Sequence, residues 1–159
     1  MAAACADSAA AHRLAGWYRG GEEGLPQSSE LAFRWALRAA ERGHVEAQYN
    51  TGLCYNTGEG VAADYEAAAM WFGRAAEQGE RSAQFNLGFA VELGKGTPLN
   101  CELAAKWFQR AADQGATTAK VHLGNLYRAG HGVEQDHAHA NALYREAIEV
   151  DNTIIALFN

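Results

Sequence analysis

AQYNTGLCYNTGEGVAADYEAAAMWFGRAAEQGERS, residues Ala47–Ser82, decides the fold, because the chain carries this pattern four times. A shift of 36 residues brings one glycine of each copy into register: Gly16, Gly52, Gly88 and Gly124. The copies follow one another without insertions and occupy Ala11–Glu46, Ala47–Ser82, Ala83–Thr118 and Ala119–Ile154. A fixed period of this length predicts stacked supersecondary units and not one closed globule.

Each copy is predicted to begin with an amphipathic helix. In the second copy, Ala47, Thr51 and Tyr55 recur at four-residue spacing, which marks one face of a helix over residues 45–56. Gly52 lies inside this helix, where glycine costs about 1 kcal/mol relative to alanine. Since every copy keeps that glycine, we expect it to allow close approach of a partner helix.

A second helix is predicted to begin at the eighteenth position of each copy. Four residues with the chemistry of an N-cap share this position: Ser28, Asp64, Asn100 and Asp136. In the second copy the helix extends over residues 65–78 and is ended by Gly79. Its alternating aromatic and alanine residues, such as Trp71 and Ala75, are predicted to form a dense core.

The two ends of the chain depart from the pattern. Asp7 or Ser8 could cap a first helix that continues to about Tyr18, and the first copy has Glu22 where the others have glycine. This is typical of an N-terminal capping repeat. Residues 155–159 resemble the opening of a fifth first helix, and we expect them to cap the last copy. The alternatives are a truncated chain or end-to-end dimerisation through four apolar residues: Ile154, Ile155, Leu157 and Phe158.

The composition favours one acidic domain. The chain of 159 residues has a net charge of −6 and three lysines, which disfavours a nucleic-acid surface. It has no apolar run long enough for a membrane span and no N-terminal signal pattern, so we expect a cytoplasmic protein. Cys5, Cys54 and Cys101 follow no repeating interval and are predicted to be reduced thiols, with an isolated disulfide as the alternative.

No catalytic, cofactor or metal site is predicted. His137 and His139 point about 200° apart on a helix and make a poor metal pair, so these two and His131 are interpreted as a polar surface. The few serines lack the surroundings of a nucleophile. The glycine-containing connectors end helices and do not form a phosphate-binding loop.

The copies resemble Sel1-like repeats, which are relatives of tetratricopeptide repeats. The last copy shows the pattern as Ala119-x3-Leu123-Gly124-x2-Tyr127-x2-Gly130-x-Gly132-Val133-x2-Asp136. The resemblance implies an all-α fold, a right-handed α-solenoid of antiparallel helix pairs whose first helices line the concave side. It also implies that the protein holds a partner protein or peptide. Some disulfide-rich members are linked to penicillin binding or lactam hydrolysis, but this chain lacks their recurring cysteine pairs.

If the first helices line a groove, the residues there that are not part of the repeat pattern face it. They are predicted to bind the partner: Trp17, Tyr49, Asn50, Leu53, Asn56, Phe85, Asn86, Phe89, Glu92, His122, Asn125 and Arg128. Asn50 and Asn86 are one repeat apart, and their amides could grip successive peptide groups of an extended segment. The alternative is that they bond to each other or to the backbone.

The aromatic and charged members of this set also allow two interpretations. Tyr49, Phe85 and Phe89 are either peptide anchors or packing between repeats. Glu92 and Arg128 are either charges at the rim of the groove or a solvated pair.

We therefore predict a non-enzymatic interaction scaffold that binds a protein or peptide on its concave face. A monomer is expected, with the end-to-end dimer as the alternative, and neither nucleic acid nor membrane is expected as a partner. Two other classes stay open: a hydrolase of the lactam-binding branch, and a structural module that associates through its ends.

Overall fold

The chain is all-α over the residues that the structure describes. This computed structural model describes the backbone of residues 2–157 and the side chains of residues 7–149. Within that part, eight helices occur in chain order: α1 Ala2–Gly20, α2 Ser29–Glu41, α3 Val45–Thr57, α4 Tyr65–Glu77, α5 Arg81–Leu93, α6 Cys101–Asp113, α7 Thr117–Ala129 and α8 His137–Leu157. The predicted fold class is confirmed, and α3 and α4 end within one residue of the predicted limits.

The helices belong to two compact units. The N-terminal unit is Met1–Ala83 and the C-terminal unit is Gln84–Asn159. Alanine and aromatic side chains form the core of each, as the alternation in the sequence predicts. None of the helices in the described part is both long and apolar enough to cross a lipid bilayer.

The predicted N-caps of the second helices are all present. The side-chain oxygen of the cap accepts a hydrogen bond from the backbone N–H three residues later, at 3.2, 3.0, 2.9 and 2.9 Å respectively for Ser28, Asp64, Asn100 and Asp136. Each bond satisfies an amide that would otherwise lack a partner at the helix start. These residues therefore fix where α2, α4, α6 and α8 begin.

The recurring glycine of the first helix lies against an aromatic ring in three of the four repeats. A Cβ atom added at Gly52 would lie 2.6 Å from the ring of Phe72. The corresponding distances are 2.9 Å from Gly88 to Phe108 and 2.7 Å from Gly124 to Tyr144. The predicted close approach of the partner helix is confirmed there.

The same prediction is wrong for Gly16. A Cβ atom at Gly16 would have nothing within 4 Å. Ala36 occupies the position that Phe72 has in the next repeat, and its methyl group is too short to reach the first helix. The first repeat thus keeps the glycine without the contact that requires it.

The N-terminal cap is also predicted wrongly. Helix α1 begins at Ala2, so Asp7 and Ser8 lie inside it and cap nothing. The run of alanines before them has the highest helix propensity, which extends the helix toward the N-terminus. The carboxylate of Asp7 instead contacts the guanidinium of Arg42, with Oδ2 3.1 Å from Nε.

At the other end, α8 continues as one helix to Leu157. The other repeats break here at a glycine with positive φ, as at Gly79 with φ of 91°. Asp151 holds this position and continues the helix, so residues 155–157 extend α8 and do not open a new one. The side chains of Ile154, Ile155, Leu157 and Phe158 lie outside the described residues, and their capping or dimer contacts stay a prediction.

Candidate functional sites

Four of the predicted partner-binding residues meet in the C-terminal unit. Phe85, Phe89 and Glu92 lie on α5, and His122 lies on α7. The His122 ring contacts both phenylalanine rings edge-on, with centroids 5.4 Å from Phe85 and 5.5 Å from Phe89. Its Nδ1 lies 3.2 Å from Oε2 of Glu92. We call these four residues the His122 cluster.

Phe108 of α6 forms the floor of the His122 cluster. It is fully buried, and its ring centroid lies 5.8 Å from that of Phe85 and 5.1 Å from that of His122. Phe85 is half-buried against this floor, so packing between helices is at least part of its role. Phe89 is 38% exposed and presents an aromatic surface to solvent. Phe85 therefore packs between helices, and the role of Phe89 as a peptide anchor stays a prediction.

The Glu92 carboxylate contacts the imidazole of His122. The side chains of Glu92 and His122 are 21% and 29% exposed, so their contact is partly shielded from water. Arg128 lies exposed near the end of α7, where its carbonyl accepts a hydrogen bond from Gln135 Nε2 at 2.9 Å. Glu92 thus supplies a polar edge to the aromatic cluster.

Asn125 is partly engaged by the neighbouring helix. The hydroxyl of Tyr144, on α8, donates a hydrogen bond of 2.8 Å to Asn125 Oδ1. The same ring covers Gly124, so the bond also orients Tyr144 over the first helix. Asn125 is exposed and combines this structural role with its position on the predicted face.

In the N-terminal unit, the predicted residues of the second repeat all lie on α3. Tyr49, Asn50, Leu53 and Asn56 are half-buried there, and the Tyr49 ring lies 6.0 Å from that of Phe72, as Phe85 lies against Phe108. Trp17 is half-buried on α1. Asn50 and Asn86 belong to different compact units, and their joint action on a peptide stays a prediction.

A glutamine pair joins the two helices of each central repeat, which the sequence analysis missed. Gln78 Nε2 donates to Gln48 Oε1 at 2.7 Å, and Gln114 Nε2 donates to Gln84 Oε1 at 2.8 Å. The signal was present, since both pairs recur with the 36-residue period. The same first-helix position holds Lys120 in the last repeat, where it contacts Glu146 at 2.7 Å.

The first repeat has a histidine at this position, and it was also missed. The ring of His12 stacks on that of His44, with centroids 4.4 Å apart and an interplanar angle of 21°. His12 Nε2 lies 3.2 Å from Glu46 Oε2, and His44 Nδ1 accepts a hydrogen bond of 3.3 Å from the Ala47 amide. His12, His44 and Glu46 are called the His12 cluster below.

The stacked histidines should make stability depend on pH. Burial, and then the neighbouring His44, lower the pKa of His12 below 6.5, against the opposing effect of Glu46. The unfolded chain then takes up a proton before the folded chain does, so the free energy of unfolding should fall as the pH drops below 6.5. Urea denaturation at about pH 7.5 and about pH 5.5 measures this loss.

In that experiment His12→Gln should flatten the pH dependence, since glutamine holds this position in the two central repeats. His137→Gln, which removes an exposed histidine on α8, is the matched control. An equal slope for His12→Gln and the wild type would contradict the assignment.

The described part of the chain contains two free cysteines. Cys54 and Cys101 are unpaired thiols, and Cys5 lies outside the described side chains. Burial raises the pKa of the Cys54 thiol, although the guanidinium of Arg19 opposes the shift, with Nη2 3.9 Å from Sγ. A raised pKa keeps this thiol protonated and weakly nucleophilic.

The repeated helix pairs, their caps and their glycine contacts define a helical-repeat protein. The family model described as Sel1 repeat matches residues 8–44, 45–80, 81–115 and 118–152. The chain therefore belongs to the Sel1 repeat family. Sel1 repeats are protein-interaction modules and typically serve as non-catalytic scaffolds.

Solved structures of Sel1 repeat proteins have the same fold. A Sel1 repeat protein from Oxalobacter formigenes is 34% identical, with a TM-score of 0.85 over 89% of this chain and 56% of its own. A protective antigen of uropathogenic Escherichia coli, displaying an SLR fold, is 29% identical, with a TM-score of 0.66 over 92% of this chain and 39% of its own. Helicobacter pylori cysteine rich protein B, at 22% identity and a TM-score of 0.57, covers 67% of this chain and 86% of its own, and shows the fold alone.

One curated relative is named as a regulatory factor. Chitin synthase regulatory factor 3 of Schizosaccharomyces pombe is 47% identical over 49 residues, which are 30% of this chain and 5% of that protein. This chain thus spans a small part of that relative and about half of the Oxalobacter formigenes chain.

Proposed function

We propose that the protein is a scaffold that binds a segment of a partner protein on the face of its first helices, with the His122 cluster as the anchor. The observation that carries the proposal is the exposed ring of Phe89, held edge-on by His122 and bordered by Glu92. An exposed aromatic ring can anchor a partner, because covering the ring removes a large apolar area from water.

The chemistry of the cluster suits an apolar side chain next to a polar group. Phe89 offers the apolar contact, while the Glu92 carboxylate can accept a hydrogen bond from a donor on the partner. Asn86, which precedes Phe89 by less than one helical turn, adds an amide on α5. The net charge of −6 favours a partner segment with basic residues, which long-range attraction would steer toward the surface.

The anchor is tested by substituting Phe89. Peptides selected from a random library on the immobilised full chain would be assayed by fluorescence polarisation. Phe89→Ala should weaken their binding by about tenfold or more, since an anchor residue contributes roughly 1.4 kcal/mol or more. Leu103→Ala is the matched control, because Leu103 is 39% exposed but lies on the second helix α6.

Equal binding by wild type and Phe89→Ala, or an equal loss in Leu103→Ala, would refute the anchor. The double variant Asn50→Ala/Asn86→Ala tests the amide pair separately. If the double variant loses peptide binding while Phe89→Ala keeps it, the first helices bind the peptide backbone through these amides and Phe89 is not the anchor.

A further inference from the structure

Three side chains that can ligate a metal ion converge in the N-terminal unit. The ligand atoms of His12, His44 and Glu46 all lie within 4.8 Å of one another. The side chain of His12 is 24% exposed and that of Glu46 is 73% exposed, so an ion can enter from the Glu46 side. His44 is half-buried beneath the stacked ring of His12.

This set of ligands is confined to the first repeat. The central repeats have glutamine in place of His12, and that glutamine is held by a second glutamine. The equivalents of Glu46 are Ser82 and Thr118, which are weak ligands. Sel1 packing therefore does not require the three ligands, and their convergence here is a property of this chain.

We propose that His12, His44 and Glu46 bind a divalent transition-metal ion, with Zn²⁺ as the representative. Two imidazoles and one carboxylate form a set that Zn²⁺ accepts with a water molecule as its fourth ligand. Zn²⁺ bonds of about 2.0–2.2 Å place tetrahedral ligands roughly 3.3–3.5 Å apart. Because the His12 and His44 rings are stacked at an interplanar angle of 21°, one of them must rotate out of the stack before both lone pairs can point at one ion. The carboxylate of Glu46 is 73% exposed and can follow that ring.

One feature of His12 supports this assignment. Its Nδ1 is buried and has no hydrogen-bond partner among the described residues, which leaves a polar atom unsatisfied. Since a buried polar atom normally has a partner, an imidazole of this kind is suited to a ligand.

Metal binding should also disturb the start of α3. His44 Nδ1 accepts a hydrogen bond from the amide of Ala47, so its lone pair serves as the helix cap. A metal at Nδ1 would take that lone pair, and a metal at Nε2 would require the tautomer with a proton on Nδ1. In both cases the Ala47 amide loses its partner, and its hydrogen exchange should accelerate when Zn²⁺ binds.

The test is calorimetric titration of the full chain with zinc chloride, with magnesium chloride as the control for a hard cation. We expect one Zn²⁺ per chain and no Mg²⁺. His12→Gln, which copies the central repeats, and His44→Asn, which keeps an N-cap residue, should each weaken Zn²⁺ binding by about tenfold or more. His131→Ala/His137→Ala removes two exposed histidines elsewhere and should bind as the wild type does.

The proposal is overturned by any of three results. The first is that the wild type binds no Zn²⁺, and the second is that His12→Gln binds Zn²⁺ with unchanged affinity. The third is that His131→Ala/His137→Ala loses Zn²⁺ affinity, which would show adventitious surface binding. Circular dichroism confirms that each variant is folded. Unchanged exchange of the Ala47 amide on saturation with Zn²⁺ would exclude His44 as a ligand.

Discussion

Gly60→Ala and Gly132→Ala will each destabilise the protein by about 3 kcal/mol or more, whereas Gly24→Ala will cost about 1–2 kcal/mol. The three glycines occupy the same repeat position, with φ of 73°, 72° and 75°. Alanine therefore meets the same left-handed strain at each of them. The difference between them lies in what surrounds the added methyl group.

Around Gly60 and Gly132 the neighbour is backbone. A Cβ atom at Gly60 would lie 2.1 Å from the carbonyl oxygen of Ser29, and one at Gly132 would lie 2.3 Å from the carbonyl carbon of Cys101. Both contacts are at the start of the second helix of the preceding repeat, which cannot rotate aside as a side chain can. At Gly24 a Cβ atom would have nothing within 4 Å.

Urea denaturation followed by circular dichroism measures the three free energies of unfolding. Gly24→Ala serves as the built-in control, since it carries the backbone strain without the steric contact. If all three variants lose the same stability, the left-handed backbone strain alone accounts for the loss. The steric contact of Gly60 and Gly132 with the preceding repeat of the same unit would then contribute nothing to stability.

Most of the fold could be predicted because its signals are local and occur four times. Asp64 fixes a helix start through a bond to an amide only three residues away, and its equivalents do the same. Repetition at 36 residues then separates such signals from chance. The exceptions are at the two ends of the chain. Asp7 was predicted to cap α1, but the alanines before it already favour helix, so α1 begins earlier. Asp151 holds the position at which the other repeats end their second helix, yet α8 continues past it.

The candidate sites were predictable only in part. Choosing the non-repeat positions of the first helices identified Phe85, Phe89, Glu92 and His122, which the structure brings together. The sequence could not show that Phe85 would be packed on a buried floor while Phe89 stays exposed, because that depends on the position of a third helix. Contact between side chains of different helices is decided by packing and not by spacing along the chain.

The His12 cluster shows the same limit more clearly. The sequence analysis considered His131, His137 and His139 together, because they lie within nine residues of one another. His12 and His44 are 32 residues apart and stack only because α1 packs next to the start of α3. One signal was available, since His12 replaces a glutamine that the two central repeats share.

The glycine inside the first helix gives the second large effect. Gly52→Ala should destabilise the protein by about 1–3 kcal/mol, because the new methyl group would lie 2.6 Å from the ring of Phe72. Gly16→Ala should instead be neutral or stabilising by up to about 1 kcal/mol, since alanine is the better helix former and Gly16 has open space. Urea denaturation of the two variants therefore gives changes of opposite sign.

A double-mutant cycle identifies the cause of the Gly52→Ala effect. In a Phe72→Leu background the smaller side chain leaves room for the methyl group, so Gly52→Ala should cost less there than in the wild type. If the cost is the same in both backgrounds, contact with Phe72 is not the reason for the glycine. The carbonyl oxygen of Ala68, at 3.3 Å from the same Cβ position, would then be the group that excludes a side chain.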